Sequence, residues 1–369
     1  MKSKLILLLT PFMVIMTSCN GNKEKNYFKS WNDCSSLTVL KEYVKDVTNK
    51  KSKNYIPVED RIVTFDMDGT FIGELYPTYF EYNMLEYRVL EDPDYKDIAP
   101  EDVKETAQDI RDFVRLNKPL PKYDDDFGFD IKHAVAAAKA YSGMSIKEFD
   151  EYVKKYAKNN ANGFKNLTFE NSFYKPMLEV FDYLEANDFT YYVVSGSDRF
   201  ICRALVDSLK IPSNRVIGMD VELKASEQND QYGVNYTMLP TESLIRTDKL
   251  LIKNLKTNKV KQITQEIGKV PVLSFGNSGG DAAMHNYCLG NTQYKTAAFM
   301  LVADDDVRDH ARKNVGQGED KRLENDEEFA TRINDLNTKW TEANYNVISM
   351  KDNFKTIYGG KVEKTSFVF

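Results

Sequence analysis

Val63-Thr64-Phe65-Asp66-Met67-Asp68-Gly69-Thr70-Phe71 is the stretch that decides how this chain is read. An apolar run of β-branched and aromatic residues ends in two aspartates one residue apart, directly ahead of a glycine. Side chains alternate along a strand, so Asp66 and Asp68 leave its end on the same side. Two like charges at the tip of a buried strand repel unless a cation or a proton lies between them. That is the composition of a reactive site.

Outward from this segment, four further short apolar runs read as strands: Phe189 to Ser195, Arg215 to Gly218, Val270 to Phe275 and Ala297 to Val302. Helical spacing separates them. Met177, Val180, Phe181 and Leu184 share a face over Lys175 to Glu185, and Leu37, Leu40, Tyr43, Val44 and Val47 predict a preliminary helix before the first strand. Alternating strands and helices predict an α/β fold with a doubly wound, parallel-sheet Rossmann-like core. Ligands of such sheets sit beyond the carboxyl ends of the strands.

Two stretches break the alternation. Tyr76 to Asn171 carries helical segments at 109–114, 131–141 and 146–156, and reads as a small inserted domain. Asp220 to Pro240 alternates around Tyr232-Gly233-Val234 and reads as a hairpin excursion. The charged run Glu319 to Glu328 is expected to be a solvated helix or loop.

The 369 residues exceed one ordinary domain, and 42% hydrophobic with 29% charged residues is a globular composition. A net charge of −6 gives no basic surface for nucleic acid. Lys2 and Lys4 precede an apolar stretch from Leu5 to Met16, too short to span a membrane and followed by Thr17-Ser18-Cys19. This start resembles the signal peptide and lipobox of bacterial lipoproteins. The resemblance implies lipidation at Cys19 and a lipid-anchored place in the cell envelope, periplasmic or surface side, with Asn20 to Asn26 as a tether; a plain secretory signal is the alternative. Cys34, Cys202 and Cys288 show no metal or disulfide spacing, and burial is their expected fate.

The strand ends carry more than the first pair. Val193-Val194-Ser195-Gly196-Ser197 closes one strand and Phe275-Gly276-Asn277-Ser278-Gly279-Gly280-Asp281 another, so carboxylates, an amide, a hydroxyl and flexible backbone converge on one sheet edge. With these motifs in order, the chain resembles phosphohydrolases of the haloacid dehalogenase superfamily, in their phosphoserine-phosphatase-like branch. Asp66-Met67-Asp68-Gly69-Thr70 is similar to the first motif, Ser195 to the second and Gly276 to Asp281 to a variant of the fourth. Lys259 is the best match to the single lysine of the third, with Lys249, Lys253 and Lys261 as competitors. The organisation implied is a signal peptide at 1–18, a tether and preliminary helix at 19–58, a hydrolase core at 59–75 and 172–369, and a helical cap at 76–171.

Phosphoryl transfer needs an in-line nucleophile, a proton donor for the leaving oxygen, and cations or N–H groups around the equatorial oxygens. Asp66 is the expected nucleophile and Asp68 the acid and base. Ser195, Gly196, Lys259 and Gly69 are the expected phosphate binders, the last through a close backbone approach. Magnesium is the implied cofactor, with Asp66, the Asp68 carbonyl, Asn277 and Asp281 as ligands. Asn277 stands where the family more often has an aspartate.

The substrate should be a small phosphorylated metabolite chosen by the cap, with Glu74 and Tyr76 placed to touch it. Glu74 comes one position earlier than the substrate-contacting glutamate of phosphoserine phosphatases, so that specificity does not carry over. The aromatic stripe Tyr76, Tyr79, Phe80, Tyr82 and Tyr87, with Asp124-Asp125-Asp126, suits a cationic leaving group such as phosphocholine or phosphoethanolamine, although such a stripe is more often packed core. A dehalogenase needs no acid, so Asp68 argues against one. A lipid-anchored binding protein on a hydrolase scaffold and a pyrophosphate hydrolase remain alternatives. His133, His285 and His310 are expected on the surface or in packing, and Asp304-Asp305-Asp306 in a solvated turn.

Overall fold

The computed structural model describes residues 27–74, 78–122, 128–314, 323 and 325–366. The signal segment 1–18, Cys19, the tether to Asn26, Tyr76, Asp124 to Asp126 and much of the charged run from Glu319 lie outside these residues. The first helix, α1 (Ser35–Thr48), buries Leu37, Leu40, Tyr43, Val44 and Val47 as their spacing predicts. Its Tyr43 hydroxyl donates to the Val272 carbonyl at 3.0 Å, which ties the helix into the core.

The run ending on the aspartate pair is β1 (Ile62–Phe65), buried at all four positions because both of its faces are covered. After it come α2 (Phe80–Leu90), α3 (Glu101–Leu116), α4 (Gly128–Ala140), α5 (Ile146–Ala157) and the two-residue β2 (Phe164–Lys165). The alternating part follows with α6 (Lys175–Glu185), β3 (Thr190–Asp198), α7 (Arg199–Val206), β4 (Val216–Ala225), β5 (Leu244–Ile252), α8 (Thr257–Glu266), β6 (Leu273–Gly276), α9 (Ala282–Leu289) and β7 (Ala297–Val302). The chain closes with α10 (Ala311–Asn314), α11 (Asp326–Glu342), β8 (Asn346–Ser349), α12 (Met350–Asn353) and β9 (Glu363–Lys364). Among the described residues no helix is long and apolar enough to cross a membrane.

Seven strands form one sheet in the order β5-β4-β3-β1-β6-β7-β8, parallel throughout except for β5. This is the doubly wound Rossmann-like α/β architecture. The chain builds β3 and β4 on one side of β1, then crosses to build β6, β7 and β8 on the other. The strand order therefore reverses at β1, which opens a crevice at its carboxyl end. Register fixes the core beneath that crevice. Phe65 pairs with Phe275 and Phe275 with Phe299, so three rings stack at 4.4 and 4.8 Å between centroids. Phe181 of α6 meets Phe65 edge-on at 4.5 Å.

The hairpin excursion is larger than the sequence suggested. Tyr232 to Val234 is not strand: Gly233–Asn235 is a short 3-10 turn, and Tyr232 and Val234 are 80% and 91% exposed. The paired strands are β4 and β5, on either side of that tip. β5 grips the inserted helices, since the Gly143 N–H donates to the Arg246 carbonyl and the Arg246 N–H to Met144, both at 2.9 Å. Arg246 is itself buried, 2.7 Å from Asp198 Oδ2, with its guanidinium 3.9 Å from the centre of the Phe149 ring. One hairpin thus locks the insertion to the end of β3.

Asp304 to Asp306 form no solvated turn. Asp304 accepts from Ser349 Oγ and the Lys351 N–H, Asp305 from the N–H groups of Val307 and Arg308, and Asp306 from Arg312 and Lys364. They anchor the carboxyl-terminal segment. Cys202 and Cys288 are buried and Cys34 half-buried, none in a disulfide.

Candidate active site

β1, β3 and β6 run parallel, so their ends deliver Asp66, Ser195 to Asp198, and Asn277 to the same edge. Beyond Phe65 the chain turns tightly. The Met67 carbonyl accepts from the N–H groups of Thr70, Phe71 and Ile72, and the Gly69 N–H donates to the Ile72 carbonyl at 2.7 Å. Asp66 and Asp68 consequently line one small cavity of about 200 Å3.

Lys259, near the start of α8, reaches into it. Its Nζ lies 2.5 Å from Asp66 Oδ1 and 2.6 Å from Asp281 Oδ1, with the lysine buried. Its neighbours are spent otherwise: Lys249 pairs with Glu222 on the surface, Lys261 is exposed, and Lys253 donates to Glu81 at 2.9 Å. Asp281 Oδ2 accepts from the Asn277 and Ser278 N–H groups, both at 3.0 Å, which shapes the loop after β6. Asn277 donates through its amide nitrogen to Glu74 Oε1 at 2.7 Å.

Electrostatics follow from burial. Desolvation, then the Asp281 charge, pushes Asp66 well above the ordinary carboxylate range, and the Lys259 ammonium opposes both. Burial raises Asp68 to about 6, against a lowering hydrogen bond from Ser197, and raises Glu74 to about 8. Lys259 is held above its usual value by the carboxylates of Asp281 and Asp66, which outweigh its own burial.

Two expected phosphate binders are displaced. Ser195 is fully buried and does not line the cavity; its Oγ accepts from the Ser197 N–H and its carbonyl from Asn254. Ser197 stands there instead and donates to Asp68 Oδ2 at 2.7 Å. The reason is that β3 runs on to Asp198, so the residue two steps nearer the strand's end occupies the mouth. Gly69 also takes another part. Its N–H is committed to Ile72, and the need for glycine is steric: φ is 76°, and a Cβ there would lie 2.0 Å from Asn277 Nδ2. Gly196 does line the cavity, packed under Leu255.

Of the remaining lining, the sequence singles out Tyr79 and Tyr82 only within the aromatic stripe and Lys253 only as a competitor of Lys259, and it does not single out Glu81, Asp130 or Lys256. Tyr79, Glu81 and Tyr82 come from the loop before α2 and its first turn, Asp130 from α4, and Lys253 and Lys256 from the segment between β5 and α8. A signal existed for the first three, since they belong to the aromatic segment that follows Glu74. Tyr82 donates to Asp130 Oδ1 at 2.9 Å. The histidines are buried packing groups. Burial lowers His133 to about 3 and His285 to about 4, so both stay neutral; His310 contacts the Gly163 carbonyl at 2.9 Å.

A divalent cation fits the donor chemistry. Among the described residues six carboxyl groups line the cavity, those of Asp66, Asp68, Glu74, Glu81, Asp130 and Asp281, against the three ammonium groups of Lys253, Lys256 and Lys259. Among the described residues no three Asp, Glu, His or Cys side chains converge tightly enough to form a metal site by themselves. A set completed by the Asn277 amide and the Asp68 carbonyl does not require such a cluster, and all-oxygen donors suit magnesium. Three donors already fill Asp281 Oδ2, so any ligation by Asp281 falls to Oδ1.

Solved structures share this architecture. The likeness is one of fold. A conserved, functionally unknown protein from Anaerococcus prevotii DSM 20548 is similar at 17% identity with a TM-score of 0.50, over 88% of this chain and 94% of that one. A phosphoserine phosphohydrolase-like protein from Francisella tularensis subsp. tularensis SCHU S4 aligns at 13% identity and a TM-score of 0.36, over 75% and 99%. A HAD family hydrolase from Salmonella enterica subsp. enterica serovar Typhi aligns at 12% and 0.35, over 65% and 61%. No family model and no curated protein matches the chain.

Proposed function

We propose that the chain is a phosphatase that hydrolyses a small phosphomonoester through an aspartyl-phosphate on Asp66, with magnesium as cofactor. The observation that carries this reading is the Lys259 ammonium wedged between Asp66 and Asp281 beside a second, protonatable carboxyl at Asp68. Asp66 Oδ1 is held by Lys259, which leaves Oδ2, 3.3 Å from the Thr70 hydroxyl, as the attacking oxygen. It forms a bond to phosphorus while the bond to the alkoxide oxygen breaks, and Asp68 gives the alkoxide its proton. Water then attacks the same phosphorus, Asp68 takes the water's proton, and the bond to Asp66 breaks to free phosphate. Ser197, hydrogen-bonded to Asp68, fixes the acid's orientation. When bound, magnesium would be held by Asp66, the Asp68 carbonyl, Asn277 and Asp281 and would supply charge neutralisation at the phosphoryl oxygens.

A panel of phosphomonoesters, assayed with and without magnesium, tests the reading. Turnover should depend on the metal, and its absence for every ester would overturn it. Asp68→Asn discriminates further. An alkoxide leaving group needs a proton and p-nitrophenolate does not, so in kcat/KM, which reports the phosphorylation of Asp66 and not the later hydrolysis, the variant should lose roughly 100-fold or more on alkyl esters and far less on p-nitrophenyl phosphate. The raised affinity of Asp68 for its proton gives the sign of the pH effect: the acid is present below about 6 and is lost as pH rises through it, so alkyl esters should fall off first. Equal losses on both ester types would remove Asp68 from that role.

We further propose that the protein is anchored in the cell envelope through lipid on Cys19, supported by the apolar stretch and the Thr17-Ser18-Cys19 end of the leader. Cells fed a labelled fatty acid should label the wild-type chain and not Cys19→Ala. Labelling of both would refute the anchor.

A further inference from the structure

The cavity has two unlike walls. One holds the phosphate chemistry of Asp66, Asp68, Lys259 and Asn277. The other is built from the insertion: Tyr79 and Tyr82, with Glu81 and Asp130 beside them. The two tyrosine rings stand 5.5 Å apart between centroids at 71° to one another, which makes a corner rather than a stack. Tyr82 is braced from behind by His133 at 4.1 Å and Phe129 at 5.8 Å, and its hydroxyl holds Asp130 in place.

Charge on this wall is one-sided. Its ammonium group, Lys253, is buried and paired with Glu81 at 2.9 Å, and among the described residues the cavity carries six carboxyl groups against three lysines. No arginine lines it among the described residues. A carboxylate or second phosphate on the substrate would therefore find no planar, bidentate partner. At about 200 Å3 the space is also below the roughly 300 Å3 of ordinary ligand pockets, which favours a small metabolite over a nucleotide.

Resting on the phosphatase reading above, we infer that the alcohol released carries an alkylammonium group, of the ethanolamine or choline type, seated in the Tyr79–Tyr82 corner beside Asp130 and Glu81. An aromatic face attracts such a cation through its quadrupole, most strongly where water is excluded. Glu81 is already balanced by Lys253, so Asp130, held by the neutral Tyr82 hydroxyl, supplies the counter-charge that a quaternary ammonium cannot obtain by hydrogen bonding. Phosphate and cation then bind at opposite ends of one short cavity, which sets the substrate's length as well as its charge.

The test compares phosphocholine with 3,3-dimethylbutyl phosphate, which has the same shape and lacks the positive charge, on the purified mature chain with magnesium. We expect kcat/KM to favour the cationic ester by about 30-fold. Tyr79→Leu should bring that ratio close to one, while Tyr79→Phe, which keeps the ring, should retain most of it. A wild-type ratio near one, or a ratio unmoved in Tyr79→Leu, would overturn the inference. p-Nitrophenyl phosphate separates the two levels of argument: its hydrolysis alongside a ratio of one leaves the phosphatase reading standing and removes the ammonium site. No turnover of any ester removes both.

Discussion

Asp66→Asn should abolish turnover of every phosphomonoester, by roughly four to six orders of magnitude in kcat, because an amide cannot form the covalent intermediate. The fold should survive. Asparagine matches aspartate in shape, accepts the Lys259 hydrogen bond through its oxygen, and carries no charge to desolvate in a buried position. The sign of the stability change follows from the proton balance. Asp66 binds its proton more tightly folded than unfolded, where 3.8 is its ordinary value, through burial and the Asp281 charge. The stability it contributes is therefore present below that value and is lost as pH rises above it. The substituted amide does not titrate, so the variant should gain on the wild type as pH increases from about 4 to about 8, read from urea midpoints in chelator. Residual turnover above about one part in a thousand would place the nucleophile elsewhere, since loss of a covalent catalyst is never that mild in a concerted site.

The sheet was legible because a buried parallel strand advertises itself as an unbroken apolar run, and Ile62–Phe65 and Ala297–Val302 could be read so. The helix over Lys175–Glu185 was legible from period alone. The strand ends were harder. Nothing local says that β3 continues past Gly196, because the extension depends on β4 beside it, where register shifts between Val194 and Asp198. Beyond that shift it is the Ser197 hydroxyl, not that of Ser195, that faces the cavity. The excursion misled for a related reason: Tyr232 and Val234 alternate like a strand but have no strand beside them to pair with, whereas Leu244–Ile252 pairs with β4 and grips the insertion. The far wall of the site was legible only as an aromatic stripe with two readings. Tyr79, Tyr82 and Asp130 meet Lys253 only through tertiary folding, and a tyrosine lining a cavity has the same sequence signature as one packed in a core. Lys259 lay between, because its place in chain order fitted, yet only its 2.5 Å approach to Asp66 separates it from Lys253 and Lys261.

Lys259→Met should damage stability and turnover together, and the two losses should be separable. The ammonium bridges Asp66 and Asp281 at 2.5 and 2.6 Å in a buried setting, so its removal leaves two carboxylates facing each other without compensation. Breaking a buried ionic network in this way costs about 3–5 kcal/mol, far more than the intact network contributes over an apolar replacement. Both carboxylates then bind protons more readily, so the defect should be largest near pH ~8 and shrink toward pH ~5, the reverse of any acid-labile defect. Turnover should fall by roughly 100- to 1000-fold, the usual effect of deleting one fixed positive donor at a transferring oxyanion. Neutralising the stranded acids isolates the first effect from the second. The triple variant Lys259→Met with Asp66→Asn and Asp281→Asn should regain most of the lost stability, because no uncompensated charge remains, while turnover stays absent. Should Lys259→Met be as stable as the wild type at the alkaline end of that range, the lysine does not sit between these carboxylates, and the phosphate end of the cavity must be rebuilt around Lys253 or Lys256.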